Sequence, residues 1–308
     1  MSLGPRGILG GVAAAGACLV LATTSSSQEL EPRAYAPNPT DVNFLALAYS
    51  RTTGDVVFDE SLPFSDVTAH VNGAALLYGH TFALAGRAAS ATALLPYAWG
   101  SVQGNVGEDY KRITRSGMTD LRVRLAVNLV GGPALSPREF AARKAGTTLG
   151  ASLSVVAPSG QYDPSKLINL GTNRWAFKPE LGLSHPIGRW FLEAYLGGWL
   201  FTENDAFYGG VRRSQAPIGT FQLHVVRMLG RRAWIAGDAT FYSGGRTTID
   251  GRTNDDSQAN SRSGLTLAVP IGKSHSLKVA WASGVTTRVG GDFQILAVAW
   301  QVRWLGNP

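Results

Sequence analysis

Between residues 118 and 129 apolar and polar side chains alternate with period two. Thr119, Leu121, Val123, Leu125, Val127 and Leu129 fall on one face, and Met118, Asp120, Arg122, Arg124, Ala126 and Asn128 on the other. A strand sends successive side chains to opposite faces, so the pattern predicts a strand with one apolar and one charged side. The alternation returns at 172–185, where Arg174, Lys178 and Glu180 share a face with Ala176 and Ser184, opposite Trp175, Phe177, Leu181 and Leu183. At 275–288, Lys278, Thr286 and Arg288 oppose Leu277, Val279, Trp281 and Val285. At 293–304, Gln301 and Arg303 oppose Leu296, Val298, Trp300, Val302 and Trp304.

Extended to the whole chain, the pattern and the turn residues predict twelve strands: 42–51, 66–78, 86–101, 117–130, 147–157, 172–185, 189–202, 217–228, 232–243, 260–270, 275–287 and 293–304. The third and ninth alternate less cleanly, and their faces stay unassigned. Short links near 79–85, 186–188, 229–231 and 271–274 alternate with longer polar ones at 52–65, 102–116, 158–171, 203–216 and 244–259. The long link 131–146 and the short link 289–292 break this alternation. A soluble sandwich would bury the apolar faces, whereas a barrel in lipid would expose them. Unequal loops, an even strand count and aromatic residues near strand ends (Tyr49, Trp99, Trp175, Trp190, Phe201, Trp234, Phe241, Trp281 and Trp304) favour the second. The expectation is an all-β fold: an antiparallel transmembrane β-barrel of the outer membrane, about 12 strands over 42–304, with a periplasmic segment at 28–41 and a tail at 305–308. Trp304 near the end of an alternating strand fits recognition by barrel-assembly machinery, although four residues follow it.

The N-terminus supplies the address. Arg6 precedes an apolar run from Ile8 to Ala22, and Ser25 and Ser27 offer small residues for cleavage, so 1–27 reads as a signal peptide. Cys18 is the single cysteine, which excludes a disulfide framework and a thiolate metal site; the residues before it lack the large aliphatic side chain of a lipoprotein signal. No later stretch is apolar over the length a transmembrane helix needs. The formal charge of +7 falls to +6 without Arg6, and the basic residues form no run, which argues against a nucleic-acid partner.

Enzyme motifs are missing. His70, His80, His185, His224 and His275 each lack a Ser two residues on, as a barrel phospholipase would require. Neither Gly-x-Ser-x-Gly nor His-Glu-x-x-His occurs. Gly272-Lys273-Ser274 lacks the earlier glycine of a phosphate loop, because position 267 is Leu. No enzyme activity and no cofactor or metal are expected.

Five segments carry a family resemblance: residues 28–35 (QELEPRAY), 95–100 (LPYAWG), 132–137 (GPALSP), 160–175 from Gly160-Gln161-Tyr162-Asp163-Pro164 to Asn173-Arg174-Trp175, and 244–248 (GGRTT). With these the chain resembles the bacterial outer-membrane transporter family assigned to the MetA pathway of phenol degradation. The resemblance implies an outer-membrane barrel with a transport role, and it brings no established binding residues.

Candidate sites follow from the predicted inward faces. These carry Asp120, Arg122, Arg124, Arg174, Lys178, Glu180, Glu193, His224, Asp238, Arg262, Lys278 and Arg303, together with His70 and Arg288. Such a lining suits either a hydrated pore favouring anions or an interior held shut by ion pairs, since buried charges need partners or water. In the loop 158–171, Tyr162, Leu167, Ile168 and Leu170 are apolar, so the loop either folds toward the lumen as a constriction or packs on itself as a cap. Gly244-Gly245-Arg246-Thr247-Thr248 reads as a tight strand-end turn before an anion nest, and Ser136-Pro137 starts a short helix at the periplasmic rim. The expected function is passive uptake of a small organic, aromatic or hydrophobic solute, with lipid as the surrounding partner. The alternative is a structural or adhesive barrel with an occluded lumen.

Overall fold

The computed structural model describes residues 30–57, 64–230 and 232–306. The expected signal peptide, its cleavage site and Cys18 lie outside the described residues. The first strands are β1 (Val42–Val57), β2 (Phe64–Leu84), β3 (Arg87–Val106), β4 (Asp109–Met118) and β5 (Arg122–Val130). After the helix α1 (Pro137–Ala142) come β6 (Thr148–Val156), β7 (Ala176–Ile187), β8 (Trp190–Phe201), β9 (Asn204–Phe207) and β10 (Val211–Gln215). The chain ends with β11 (Ile218–Met228), β12 (Trp234–Gly244), β13 (Thr247–Ile249), β14 (Arg252–Thr253), β15 (Gln258–Ile271), β16 (His275–Thr286) and β17 (Gly290–Leu305).

The strands close into an antiparallel ring. β1 pairs β17 without a register break from Val42↔Leu305 to Val57↔Gly290, and its other edge pairs β2. β3 pairs β2 on one side; on the other it carries β4 along its upper part and β5 along its lower part. β4 and β5 are thus one stave interrupted at 119–121, and the wall has twelve staves. β9, β10, β13 and β14 form a separate four-stranded sheet.

Burial is inverted relative to a soluble protein. Leu47, Leu76, Leu95, Leu125, Leu181, Leu223, Leu265 and Leu296 are exposed on the outer face, while Lys178, Glu180, Glu193, His224 and Asp238 are buried on the inner one. A band of this kind is stable only against hydrocarbon. Tyr49, Tyr97, Trp99, Trp281 and Trp304 stand exposed on the same outer face. The two strands left unassigned now have faces: Leu95, Tyr97 and Trp99 of β3 and Ile235 and Phe241 of β12 point outward.

The strand centres fall where the alternation puts them, but four polar links do not behave as loops. β1 runs on to Val57 and β2 starts at Phe64, while β3 and β4 meet at a turn between Val106 and Asp109. These hairpins continue past the lipid belt, where water wets both faces and the apolar outer row is no longer needed. The links at 203–216 and 244–259 hold all four strands of the small sheet. At the other end of the barrel α1 forms with Ser136 as N-cap and Pro137 in its first turn. The Ser136 N–H donates to Glu139 Oε2 at 2.8 Å, completing a reciprocal cap.

Candidate functional site

One end of the lumen is filled by the segment that precedes β1, described from Leu30 onward. Within the segment expected as periplasmic, residues 28–41, Tyr35 is almost fully buried inside the barrel. The reason is a slot built by two glycines. Gly150 of β6 and Gly182 of β7 are paired directly across the sheet. A Cβ at Gly150 would stand 2.3 Å from the Tyr35 ring, and one at Gly182 would stand 2.1 Å from it. Their missing side chains let the ring lie on the backbone. Tyr195 meets it edge-on at 5.0 Å between centroids, and the Arg124 guanidinium sits 5.1 Å from its centroid. Its hydroxyl is 2.8 Å from Ser152 Oγ and donates to Glu180 Oε1 at 2.9 Å, with the Glu180 carbonyl at 3.3 Å.

Glu180 is a fixed acceptor. Its other oxygen, Oε2, takes Lys178 Nζ at 2.6 Å and Gln222 Nε2 at 3.1 Å. Glu193 has the parallel role one strand on: it accepts from the Arg33 backbone N–H at 2.7 Å, Tyr195 Oη at 2.7 Å and Ser184 Oγ at 2.8 Å, and it pairs with the Arg33 guanidinium at 3.3 Å. Arg33 also lies over the Phe191 ring at 4.0 Å. On the next two strands, level with Glu193, His224 Nδ1 is 2.7 Å from Asp238 Oδ1, and Thr266 Oγ1 donates to Asp238 Oδ2 at 2.8 Å.

The opposite mouth is filled by the loop 158–171. Asp120, in the break between β4 and β5, holds both ends of this loop. It accepts from the N–H of Gly160 at 2.9 Å, the N–H of Thr172 at 2.9 Å and the Thr172 hydroxyl at 2.6 Å. Ile168 is buried with Val56, Val67, Ala69 and Phe293. Leu167 packs against Phe207 and Ile249 of the small sheet. Tyr162 donates to the Ala206 carbonyl at 2.9 Å and accepts from Asn204 Nδ2 at 2.9 Å; burial pushes its hydroxyl pKa up. At the loop tip, hydrogen bonds from Ser165 and the neighbouring Lys166 hold the Asp163 carboxyl down at about 2.

Between the two fillings lies a cavity of about 360 Å³. Leu30 of the N-terminal segment and Leu170 of the loop both line it. Its β1–β3 and β16–β17 side is small and apolar, with Ala48, Gly73, Ala75, Ala98, Ala282 and Ala297. Asp120, Arg122, Thr52 and Thr266 bring polar groups. The lining is therefore mixed: mainly small and apolar, interrupted by Ser50 and Thr52 on β1 and by Asp120, Arg122 and Thr266.

The structure sorts the expected site residues by depth. Arg124, Lys178, Glu180, Glu193, His224 and Asp238 lie inside, within the polar network. Arg122 lines the cavity, near the Trp199 ring at 5.9 Å. Arg262 is buried and donates to the Phe293 carbonyl at 2.8 Å. Arg174 precedes β7 instead of belonging to it, and stacks on Phe201 at 4.2 Å. Lys278 shares the inward face of Ala280 but is exposed, and Arg303 is exposed beside the Lys273 carbonyl. Two placements are corrected. His70 pairs with Thr53 on the outward row and is exposed. Arg288 lies in the turn between β16 and β17, where it meets Asp255 at 3.0 Å. At the 244–248 turn the Thr247 N–H already donates to Asp256 Oδ1 at 2.8 Å, so the chain's own carboxylate occupies it. Tyr35, Arg33 and Leu30 were missed as lumen residues, because no periodicity marks a segment that is not a strand. The facing glycines Gly150 and Gly182 were the signal: two side chains absent from an inner face imply something else packed there.

Comparison with known proteins agrees with this geometry. No curated protein matches the chain in sequence. Among solved structures, an outer membrane channel from Pseudomonas putida F1 superposes with a TM-score of 0.75 at 20% identity, over 90% of this chain and 100% of that one. The transport unit of the autotransporter AIDA-I from Escherichia coli gives 0.51 at 10% identity, over 96% of this chain and 99% of that one. The likeness is one of fold, a barrel of the outer-membrane kind. The profile of the family described as "Putative MetA-pathway of phenol degradation" matches residues 50–302, and the chain belongs to that family.

Proposed function

We propose that the protein is an outer-membrane channel for passive uptake of small organic solutes, aromatic or hydrophobic in character. The observation that carries this reading is the mainly apolar cavity lined by both Leu30 and Leu170, with a few polar groups in its wall. Its Ala and Gly lining accommodates an apolar body, and the polar residues set among it can meet a polar substituent. A few placed polar groups in a mainly apolar cavity of a few hundred Å³ is the usual form of a small-molecule site. The family description, which concerns phenol degradation, points to the same class of solute. Export by the N-terminal signal and assembly through the β17 end belong to this reading, as does the absence of catalysis.

The test uses planar bilayers whose outer leaflet is lipopolysaccharide, since ordinary phospholipid already passes simple aromatics. Purified protein should raise the flux of 4-methylphenol above that of the bare membrane, and deletion of the gene should slow growth on aromatic carbon sources. Flux equal to the bare membrane would sink the proposal. The alternative, a barrel that stays occluded, is favoured by one observation: both ends of the lumen are filled by hydrogen-bonded segments.

A further inference from the structure

The Tyr35 side chain is itself a phenol, joined to the chain at the carbon para to its hydroxyl. The slot that holds it has the parts of a phenol receptor. Gly150 and Gly182 form a flat floor where any Cβ would collide with the ring. Tyr195 closes one side with a ring edge at 5.0 Å, and Arg124 offers a cation 5.1 Å from the ring centroid. Ser152 Oγ at 2.8 Å and Glu180 Oε1 at 2.9 Å converge on the hydroxyl. Glu180 Oε2 is already taken by Lys178 and Gln222, so Oε1 is presented to the slot in a fixed orientation.

We infer that this slot is a recognition site for neutral monophenols, and that Tyr35 is its resident occupant, displaced when a phenolic solute enters. The inference rests on the channel reading above and names its solute class. The chemistry is selective. A carboxylate acceptor requires a donor, so a methylarene without a hydroxyl gains no hydrogen bond there. An arene carboxylate would set a second negative charge against Glu180. The para position of the bound ring points along the path by which the chain enters, so a small para substituent is tolerated. Release of Tyr35 also loosens the segment whose Leu30 lines the cavity above, which couples solute entry to the opening of the periplasmic half.

The test uses the mature protein in detergent, with 4-methylphenol as the probe and toluene and benzoate as controls. Tyr35→Ala empties the slot. By calorimetry it should bind 4-methylphenol roughly ten-fold or more tightly than toluene, as a hydrogen bond to a charged group requires. Glu180→Ala in the same background should abolish the preference. In the unsubstituted protein, trypsin reads the docked segment at Arg33. Cleavage there should rise saturably with 4-methylphenol and stay low with toluene or benzoate. Tyr35→Phe should respond at lower concentrations, because its ring holds the slot without the hydroxyl. The inference is overturned if Tyr35→Ala binds toluene as well as 4-methylphenol, or if 4-methylphenol leaves Arg33 protected at concentrations that saturate Tyr35→Ala. Gly182→Val, checked for folding by its mobility in unheated gels, fills the floor and should release Arg33 with no dependence on 4-methylphenol. Bilayer flux separates the two readings: selective binding without flux removes the channel, and flux without selective binding removes only the slot.

Discussion

His224 and Asp238 face each other across β11 and β12, 2.7 Å apart from Nδ1 to Oδ1, with both side chains wholly enclosed. Thr266 on β15 donates to the second oxygen of the same carboxylate, so three neighbouring staves are joined through one acceptor. Asp238→Ala leaves the His224 ring and the Thr266 hydroxyl buried without this partner. The expected loss is about 1–3 kcal/mol per orphaned group. It is read as a lower urea midpoint for conversion of the fast-migrating folded form to the unfolded one.

The wall's polarity gives a second expectation. Leu181 is half exposed at the centre of β7, and its neighbour Glu180 is buried on the opposite face. Leu181→Arg should cost about 2–4 kcal/mol in bilayers, the range for a charge on the lipid face at mid-depth. Equilibrium folding into lipid vesicles measures it, and a neutral result would contradict the outward placement of that row.

Asp120, in the break between β4 and β5, ties both ends of the loop 158–171 with one carboxylate, through Gly160 and Thr172. Asp120→Ala should free the loop without unfolding the barrel. Hydrogen exchange at Gly160 and Thr172 is expected to rise by roughly ten-fold or more, the equivalent of about 1.5–3 kcal/mol for hydrogen bonds to a charged group. Exchange rates equal to those of the unsubstituted protein would contradict the pinning role.

Asp163 makes the loop tip resistant to acid. Its pKa, held at about 2 by Ser165 and Lys166, lies below the ordinary carboxylate value. A depressed pKa in the folded loop contributes stability that is present above the ordinary value and fades as pH falls through the lowered one. The tip contacts should therefore persist through pH 4 in carboxyl-carbon NMR, and Ser165→Ala should move the titration upward toward the ordinary carboxylate range, about 3.9.

Much of the barrel was legible because lipid imposes a simple rule on each stave. Leu121, Val123 and Leu125 alternate with Arg122 and Arg124 because only one face meets hydrocarbon, and the same rule together with the turn residues located the twelve staves, the third and ninth without their faces. The rule stops at the membrane surface, which is why β1 and β3 were read as ending at 51 and 101 when they reach Val57 and Val106. Inward placement of Glu180, Glu193, His224 and Asp238 followed from parity alone. Their partners did not, since Tyr35 lies 145 residues from Glu180 and no local pattern connects them. Arg174 illustrates the opposite limit: it has the parity of its strand but sits before the strand begins, where hydrogen bonds of Asp120 and Thr172 shape the backbone.

The seam between β1 and β17 carries a consequence for the order of events in time. The residues that end up enclosed, Leu30 to Tyr35, precede the first stave, which begins at Val42, whereas the wall around them is completed only by Gly290–Leu305. During synthesis the occupant therefore leaves the ribosome early and its container is finished last. Tyr35 must either wait beside an open sheet until the final hairpin joins β1, or thread in afterward from the periplasmic end. In the first case the segment serves as a template around which β6, β7 and β8 curve, and the barrel's assembly begins with its contents.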